Sequence, residues 1–413
     1  MNTRRDFFKK ASAFAGVLAL PTLRTDKIPS PFSALKFSSS STDDQVCASV
    51  RKQLLIPEGR IYLNTASLGS CPLTVLDAVN AATRQLEANP VSENWGELGV
   101  RMDNVRDKIA TFINASRDEI LLTRNATEGL GLIIQSLNLK SGDEILTTTQ
   151  EHSGAYVGMD FVAKTKGVII KKVTLPMPST NKQDVIRCVL NGITPMTKMV
   201  VLSHVNTITG LVMPFAEIAS ITQPKGIILV SDGAQALGMM RVDVARMGVD
   251  AYATCGHKWL LGPKETGFVY IKTSLQPKIQ GLFNFSGYGA YSESSGTRNV
   301  TTIIGMGTAI DFHQQIGIDR IQKRCLEMRN YCLSELKKMR GITIISPELE
   351  ELSSGIVSFT LEKANNQEVY AKLKAQDIIV KVLPGSNSLR LACHIFVSKA
   401  EIDIFINVLS KCL

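Results

Sequence analysis

Ile227-Ile228-Leu229-Val230-Ser231-Asp232-Gly233-Ala234-Gln235 is an apolar run that stops abruptly on polar residues. Successive apolar positions mark a strand buried on both faces, the condition of a parallel sheet covered by helices, whereas alternation would leave one face in water. Runs of the same texture occupy residues 119–123, 144–149, 168–173 and 199–204, each separated from the next by a longer, helix-permitting segment. Alternating β and α elements predict an α/β fold with a mostly parallel sheet. Such sheets bind ligands at the carboxyl ends of their strands. The polar residues just past each run are therefore candidate site residues: Thr123-Arg124-Asn125-Ala126-Thr127-Glu128-Gly129, Glu151-His152, Ser203-His204-Val205-Asn206 and Ser231-Asp232-Gly233-Ala234-Gln235. They are expected to share one crevice.

The chain has 413 residues, more than one compact core usually holds. The texture changes near residue 300, with a helical stretch over 301–340, strand candidates at 355–361, 377–383 and 388–392, and a terminal helix. This predicts a large domain over residues 43–300 and a smaller α+β domain over 301–413. Residues 1–42 read as a signal and linker. Thr3-Arg4-Arg5-Asp6-Phe7-Phe8-Lys9 precedes an uncharged stretch, 11–23, and a Ser-rich linker, and resembles a twin-arginine export signal. That resemblance implies export of a folded, cofactor-loaded protein to the periplasm. The apolar stretch is shorter than the roughly 20 residues of a membrane span, though an uncleaved signal would leave a tether.

The net charge of +9 falls to +5 once residues 1–29 are set aside, and no basic run with interleaved aromatics follows, so no nucleic-acid partner is expected. Forty-four per cent hydrophobic residues suffice for a large core. The eight cysteines form no C-x-x-C pair and do not cluster with the five histidines as metal ligands do. No metal is expected.

Asp250-Ala251-Tyr252-Ala253-Thr254-Cys255-Gly256-His257-Lys258-Trp259-Leu260-Leu261-Gly262-Pro263-Lys264 sets a lysine after an apolar run, followed by Gly-Pro and another strand candidate at Gly267–Ile271. An amine attacks an aldehyde only when deprotonated, so a lysine used that way sits among apolar neighbours or other charges. The segment resembles the cofactor-holding lysine segment of the class V aminotransferases, fold-type-I enzymes that use pyridoxal 5'-phosphate. The resemblance covers about residues 60–410 and implies that Lys258 holds the cofactor. Two positions depart from the family pattern. Cys255 stands where a serine is frequent, which weakens one phosphate contact, and Glu265 stands where a glycine is common, which alters the turn after the lysine.

The resemblance also assigns the remaining candidates. Asp232, 26 residues before Lys258, would face the pyridine nitrogen and keep it protonated. Gln235 would hydrogen-bond the ring's phenolic oxygen. Taken alone, these two read equally as a helix cap and a surface amide. Ala126 and Thr127 would anchor the phosphate at a helix N-terminus, with His257 as a further donor. His152 would stack on the ring and shuttle protons. Thr297, in Gly296-Thr297-Arg298-Asn299, would reach the phosphate of the partner subunit, which implies a homodimer. Arg390, in Ser388-Leu389-Arg390-Leu391, would clamp a substrate carboxylate with two parallel N–H bonds from its planar guanidinium. Asn206, a candidate substrate contact, stands one place earlier than the family's asparagine, and its role is left open.

The expected substrate is an amino acid, attacked at its α-carbon: Lys258 takes the α-proton, and Asp232 with the ring holds the charge. The nearest-looking branch is isopenicillin-N-epimerase-like, with epimerase, racemase or aminotransferase-type chemistry. Loss of a β-substituent would instead make a C–S lyase. A cysteine desulfurase needs a nucleophilic cysteine on the loop before the arginine strand, and Val380-Lys381-Val382-Leu383-Pro384-Gly385-Ser386 holds none. A catalytically degenerate ligand-binding protein is the alternative from another class, motivated by Cys255 and Glu265.

Overall fold

A computed structural model of the chain describes residues 42–280 and 296–413; the expected export signal lies outside the described residues. Among the described residues the first helix, Asp43–Lys52, opens on a capping box in which Thr42 and Gln45 satisfy each other's backbone amides. In chain order the strands are β1 (Ile61–Tyr62), β2 (Ile120–Thr123), β3 (Glu144–Thr148), β4 (Ile169–Val173), β5 (Thr197–Ser203), β6 (Ile228–Asp232), β7 (Ala251–Cys255), β8 (Gly267–Ile271), β9 (Ile342–Ile344), β10 (Ile356–Leu361), β11 (Ile378–Ile379), β12 (Lys381–Leu383) and β13 (Ser388–Ala392).

Seven of them form the main sheet in the order β2-β8-β7-β6-β5-β3-β4. Pairings from β7 through β4 are parallel, while β8 runs antiparallel to both its neighbours. The mostly parallel α/β sheet expected from the apolar runs is thus the observed one. Burial on both faces explains it. Val200 and Leu202 of β5, Leu229 of β6 and Phe268 of β8 pack into one core, while Met199, Val201, Val230 and Val269 pack into another on the opposite face. Each such side chain contributes about 1.5–3 kcal/mol on burial, and a one-residue slip would exchange the two sets. Strand β4 closes one edge, and its Lys171 and Lys172 discourage further pairing there.

The 301–340 helical stretch is two helices, Val300–Ile316 and Ile318–Leu336, broken at Gly317. Val300–Ile316 packs against the helices Leu73–Ala88 and Glu97–Ile113. A second sheet, β12-β13-β10-β9, is antiparallel throughout. The strand expected over 377–383 divides into β11 and β12, because β11 leaves that sheet to pair with β1 in parallel. The chain after β1 then bridges from Asn64 to Ala392, with the Ala392 amide donating to Leu63 O at 2.9 Å. This bridge brings residues 64–67 beside Arg390.

Candidate active site

Strand β7 ends at Cys255, and the chain turns through residues 256–262 before β8. The turn is held on all sides: Gly69 N donates to His257 O at 2.7 Å, Leu261 N to Lys258 O at 3.0 Å, and Gly262 N to Gly256 O at 2.7 Å. A side chain at Gly69 would bring a Cβ within 2.2 Å of Lys258 O, and one at Gly238 within 2.5 Å of Leu260 N, so both close approaches require glycine. Glu265 sits in the left-handed region at φ 56° and is exposed. The departure from glycine noted in the sequence therefore carries backbone strain. Glu265→Gly should raise stability by about 1 kcal/mol, read as a higher urea midpoint at unchanged slope; an unchanged midpoint would contradict the strain.

A cavity of about 500 Å³ opens over the carboxyl ends of the parallel strands and is lined by Asn125, Ala126, Thr127, His152, Asp232, Gln235, Cys255, His257 and Lys258, with Ser67, Ser203, Val205, Thr207 and Ala234. Its size suits a cofactor-sized ligand. Ala126 and Thr127 begin the helix Ala126–Ser136, capped by Asn125, whose side chain accepts from Glu128 N. First-turn amides have no partner within their own helix and, with the helix dipole, favour an anion. His257 Nδ1 is buried without a partner. Its pKa is lowered to about 4 by burial and by Lys258 and Lys264, so it is a neutral imidazole. Cys255 packs with Ala126 and Ala234 as an apolar wall, and burial pushes its thiol up to about 11. These residues fit pyridoxal phosphate: unpartnered donors for the phosphate, a buried carboxylate, and an amine in one cavity.

Asp232 ends β6, is buried, and accepts from Ala234 N at 2.9 Å. Burial raises its pKa, while the Ala234 amide, Lys258 and His152 oppose the rise. His152 stands exposed at the start of the helix Ser153–Lys166, where its Nδ1 accepts from Gly154 N at 3.0 Å. That bond sets the proton on Nε2. Partial desolvation of the ring against the cavity wall and the nearby Lys258 lower its pKa.

Arg390 lies on β13 opposite Ser358 of β10. Its Nη1 donates to Thr207 O and Oγ1, both at 2.9 Å, and its Nη2 to Ser67 Oγ at 3.0 Å. Ser67 and Thr207 themselves line the cavity. Nε of Arg390 is buried without a partner. Burial lowers its pKa to about 10, so the guanidinium remains charged at neutral pH.

Behind the cavity, Glu151 is buried and accepts from Thr148 Oγ1 at 2.8 Å, from Ser203 N at 3.1 Å, and from Ser203 Oγ. Burial raises its pKa from 4.5 to about 7 despite these donors. Protonation thus favours the fold. The stabilisation is full below about pH 4.5 and is lost as pH rises through about 7, a change on the order of 3 kcal/mol. Glu151→Gln keeps an acceptor for Ser203 and should flatten the stability profile between pH 5 and 8 in denaturant titrations. Parallel profiles for the two proteins would refute this.

The structure therefore gathers Ala126, Thr127, His152, Asp232, Gln235, His257 and Lys258 around one cavity, with Arg390 adjoining it. Two placements differ from expectation. Asn206 Oδ1 accepts from Ile208 N, Thr209 N and Thr209 Oγ1, and its Nδ2 donates to Gln150 O at 3.0 Å, so this side chain stitches a turn outside the cavity. Thr207, the next residue, occupies the position the family's asparagine holds and is the one that faces inward. Gln235 lines the cavity, yet its Nε2 donates to Ala66 O and Thr207 Oγ1 and its Oε1 accepts from Trp259 Nε1 at 2.8 Å. A bond from Gln235 to a ring oxygen would require giving up one of these. Thr297 is exposed and does not line the cavity of its own chain. Ser67 and Thr207 were not singled out by sequence; Ser67 arrives through the β1 bridge, which no local pattern signals.

Fold and cavity define a fold-type-I α/β enzyme with its site at the carboxyl ends of the strands. Residues 61–402 match the family described as Aminotransferase class-V. The chain belongs to that family and is a pyridoxal-phosphate-dependent enzyme. It is 30% identical over 384 residues to a probable cysteine desulfurase of Halalkalibacterium halodurans, covering 85% of this chain and 92% of that protein. It is 25% identical over 378 residues to the isopenicillin N epimerase of Streptomyces clavuligerus, covering 86% and 95%. Among solved structures, the cystine C–S lyase C-DES in complex with its product cysteine persulfide superposes with a TM-score of 0.78 at 24% identity, covering 86% of this chain and 98% of that one.

Proposed function

We propose that the protein acts at the α-carbon of an amino acid carrying a free carboxylate and that its principal outcome is β-elimination, as in a C–S lyase. One observation favours it over a two-base epimerisation: Lys258 is the sole amine among the described residues lining the cavity, and elimination needs only one group to take the α-proton and hand it to the leaving group. Pyridoxal phosphate, when bound, supplies the ring that accepts electrons from the α-carbon. Ala126, Thr127 and His257 would hold its phosphate, and Asp232 the ring nitrogen. His152, exposed and among the cavity's lining residues, can carry a proton. Arg390, steadied by Ser67 and Thr207, takes the carboxylate. From L-cysteine the balanced outcome is sulfide, pyruvate and ammonia, with one water consumed.

Persulfide chemistry on the protein has less support. Residues 380–386 hold no cysteine, and Cys393 is fully buried. Epimerisation is a second reading, favoured by His152, a second proton carrier in the same cavity as Lys258, and by the epimerase relatives. A panel of L-cysteine, L-cystine, L-alanine and L-serine, scored for pyruvate, ammonia, sulfide and loss of optical activity, separates these readings. Pyruvate with sulfide supports the lyase; racemisation without pyruvate replaces it with the epimerase; neither, in a cofactor-loaded protein, returns the degenerate ligand-binding alternative.

We also propose that the enzyme is a homodimer in which Thr297 serves the partner's phosphate site; a monomer in sedimentation equilibrium would remove that role. Export through the twin-arginine route to the periplasm is proposed on Arg4 and Arg5. Replacing both with lysine should hold the protein in the cytoplasm, and unchanged export would reject the route.

A further inference from the structure

The backbone carbonyl of Trp259, next to Lys258, is met by two fully buried imidazoles, His394 Nε2 at 2.8 Å and His313 Nε2 at 3.0 Å. His394 Nδ1 accepts from Ile395 N, so its proton is on Nε2 and the bond to Trp259 O is a true donation. Its ring is stacked between Trp259 and Phe396, at centroid distances of 5.5 and 5.1 Å. The Trp259 side chain, fully buried, donates from Nε1 to Gln235 Oε1 at 2.8 Å. An indole N–H only donates, so this bond fixes which way the Gln235 amide faces. Gln235 Nε2 then points to Thr207 Oγ1 at 3.0 Å, and Thr207 receives Arg390. Arg390 and His394 lie four residues apart on one segment. The bonds close a circuit: Arg390 to Thr207, Gln235, the Trp259 indole, the Trp259 carbonyl, His394, and back along the chain to Arg390.

We infer that Trp259 is a positioning residue that fixes the Arg390 guanidinium relative to the Lys258 amine, and so sets the preference for substrates with a carboxylate on the amine-bearing carbon. The inference rests on the proposed role of Arg390 as the carboxylate site. Every group in the circuit is buried except Thr207, which is half-buried, and leaving one buried partner out is costly and displaces the others. Phenylalanine at 259 keeps the stack on His394 and the carbonyl bonds but removes the indole donor. Gln235 Oε1 then lacks a partner, the amide shifts to recover one, and Thr207 and Arg390 shift with it. The phosphate-holding groups at Ala126, Thr127 and His257 are outside the circuit, and Gln235 and Thr207 are the members of it that line the cavity with them.

The test titrates holoenzyme with L-alanine, L-serine and L-cysteine, each against its carboxamide, following the visible cofactor band. Wild type should prefer carboxylate to carboxamide by about tenfold or more, the scale of a lost hydrogen bond to a charged group. Trp259→Phe should lose most of that preference while keeping its carboxamide affinities and its pyridoxal phosphate. Trp259→Met, which also removes the indole donor without touching the cavity lining, should lose it likewise and carries the test if Trp259→Phe does not fold. A Trp259→Phe enzyme with the wild-type preference, or one weakened equally toward both ligand classes, overturns the inference alone. A wild type with no preference overturns the Arg390 assignment and the inference with it.

Discussion

Lys258→Ala is expected to abolish turnover, by a factor on the order of 10⁴ or more, while leaving a folded protein that still binds pyridoxal phosphate reversibly. The basis is positional. The Lys258 side chain lines the cavity that also holds Asp232 and the first-turn amides of Ala126 and Thr127, and no other amine does so among the described residues. The loop carrying it is fixed through backbone groups, His257 O, Lys258 O and Trp259 O, none of which alanine removes. Thermal stability should therefore change little, and the loss should appear in kcat. Turnover within about tenfold of wild type would remove Lys258 from the chemistry.

Asp232→Ala should lower turnover on the order of a thousandfold and weaken cofactor binding. The carboxylate is buried, and its pKa is raised chiefly by that burial. A cation set against it would stabilise the charged form and restore the ordinary acidity, which is the service a protonated ring nitrogen provides. Alanine leaves the Ala234 amide without its acceptor, a local cost of about 1–3 kcal/mol, so stability must be measured beside activity. Asp232→Asn keeps an acceptor there and should show the same loss of turnover without that cost. If Asn at this position supports near-normal rates, the negative charge is not what the site uses.

The fold was legible because its strands are apolar at successive positions. Burial on both faces leaves that mark in sequence for the inner strands, and β2 through β8 fall within a residue or two of the runs read from it. The edge strand β4, which carries Lys171 and Lys172 and has no fully buried residue, was found by the apolar residues flanking those lysines alone. Lys258 and Asp232 were legible for a related reason: each stands at the end of such a strand, where a parallel sheet presents ligand-binding groups. What sequence missed is tertiary. Ser67 reaches Arg390 only because β1 pairs with β11 and the following residues bridge to Ala392. The roles of neighbours Asn206 and Thr207 depend on which of the two faces the cavity, and that is set by the turn Asn206 closes with Thr209. Gln235 reads as a ligand contact in sequence, yet its amide is committed to Trp259, Thr207 and Ala66, residues from three separate segments. The division of 377–383 into β11 and β12 likewise follows from which sheet each half can reach, and composition does not encode that.

The most direct test of the central claim is the visible spectrum of the purified wild-type protein before and after borohydride, followed by peptide mass mapping. A yellow protein whose reduced cofactor adduct maps to Lys258 is the predicted result. A protein that binds pyridoxal phosphate yet carries the adduct on another lysine, or on none, would contradict the site described above.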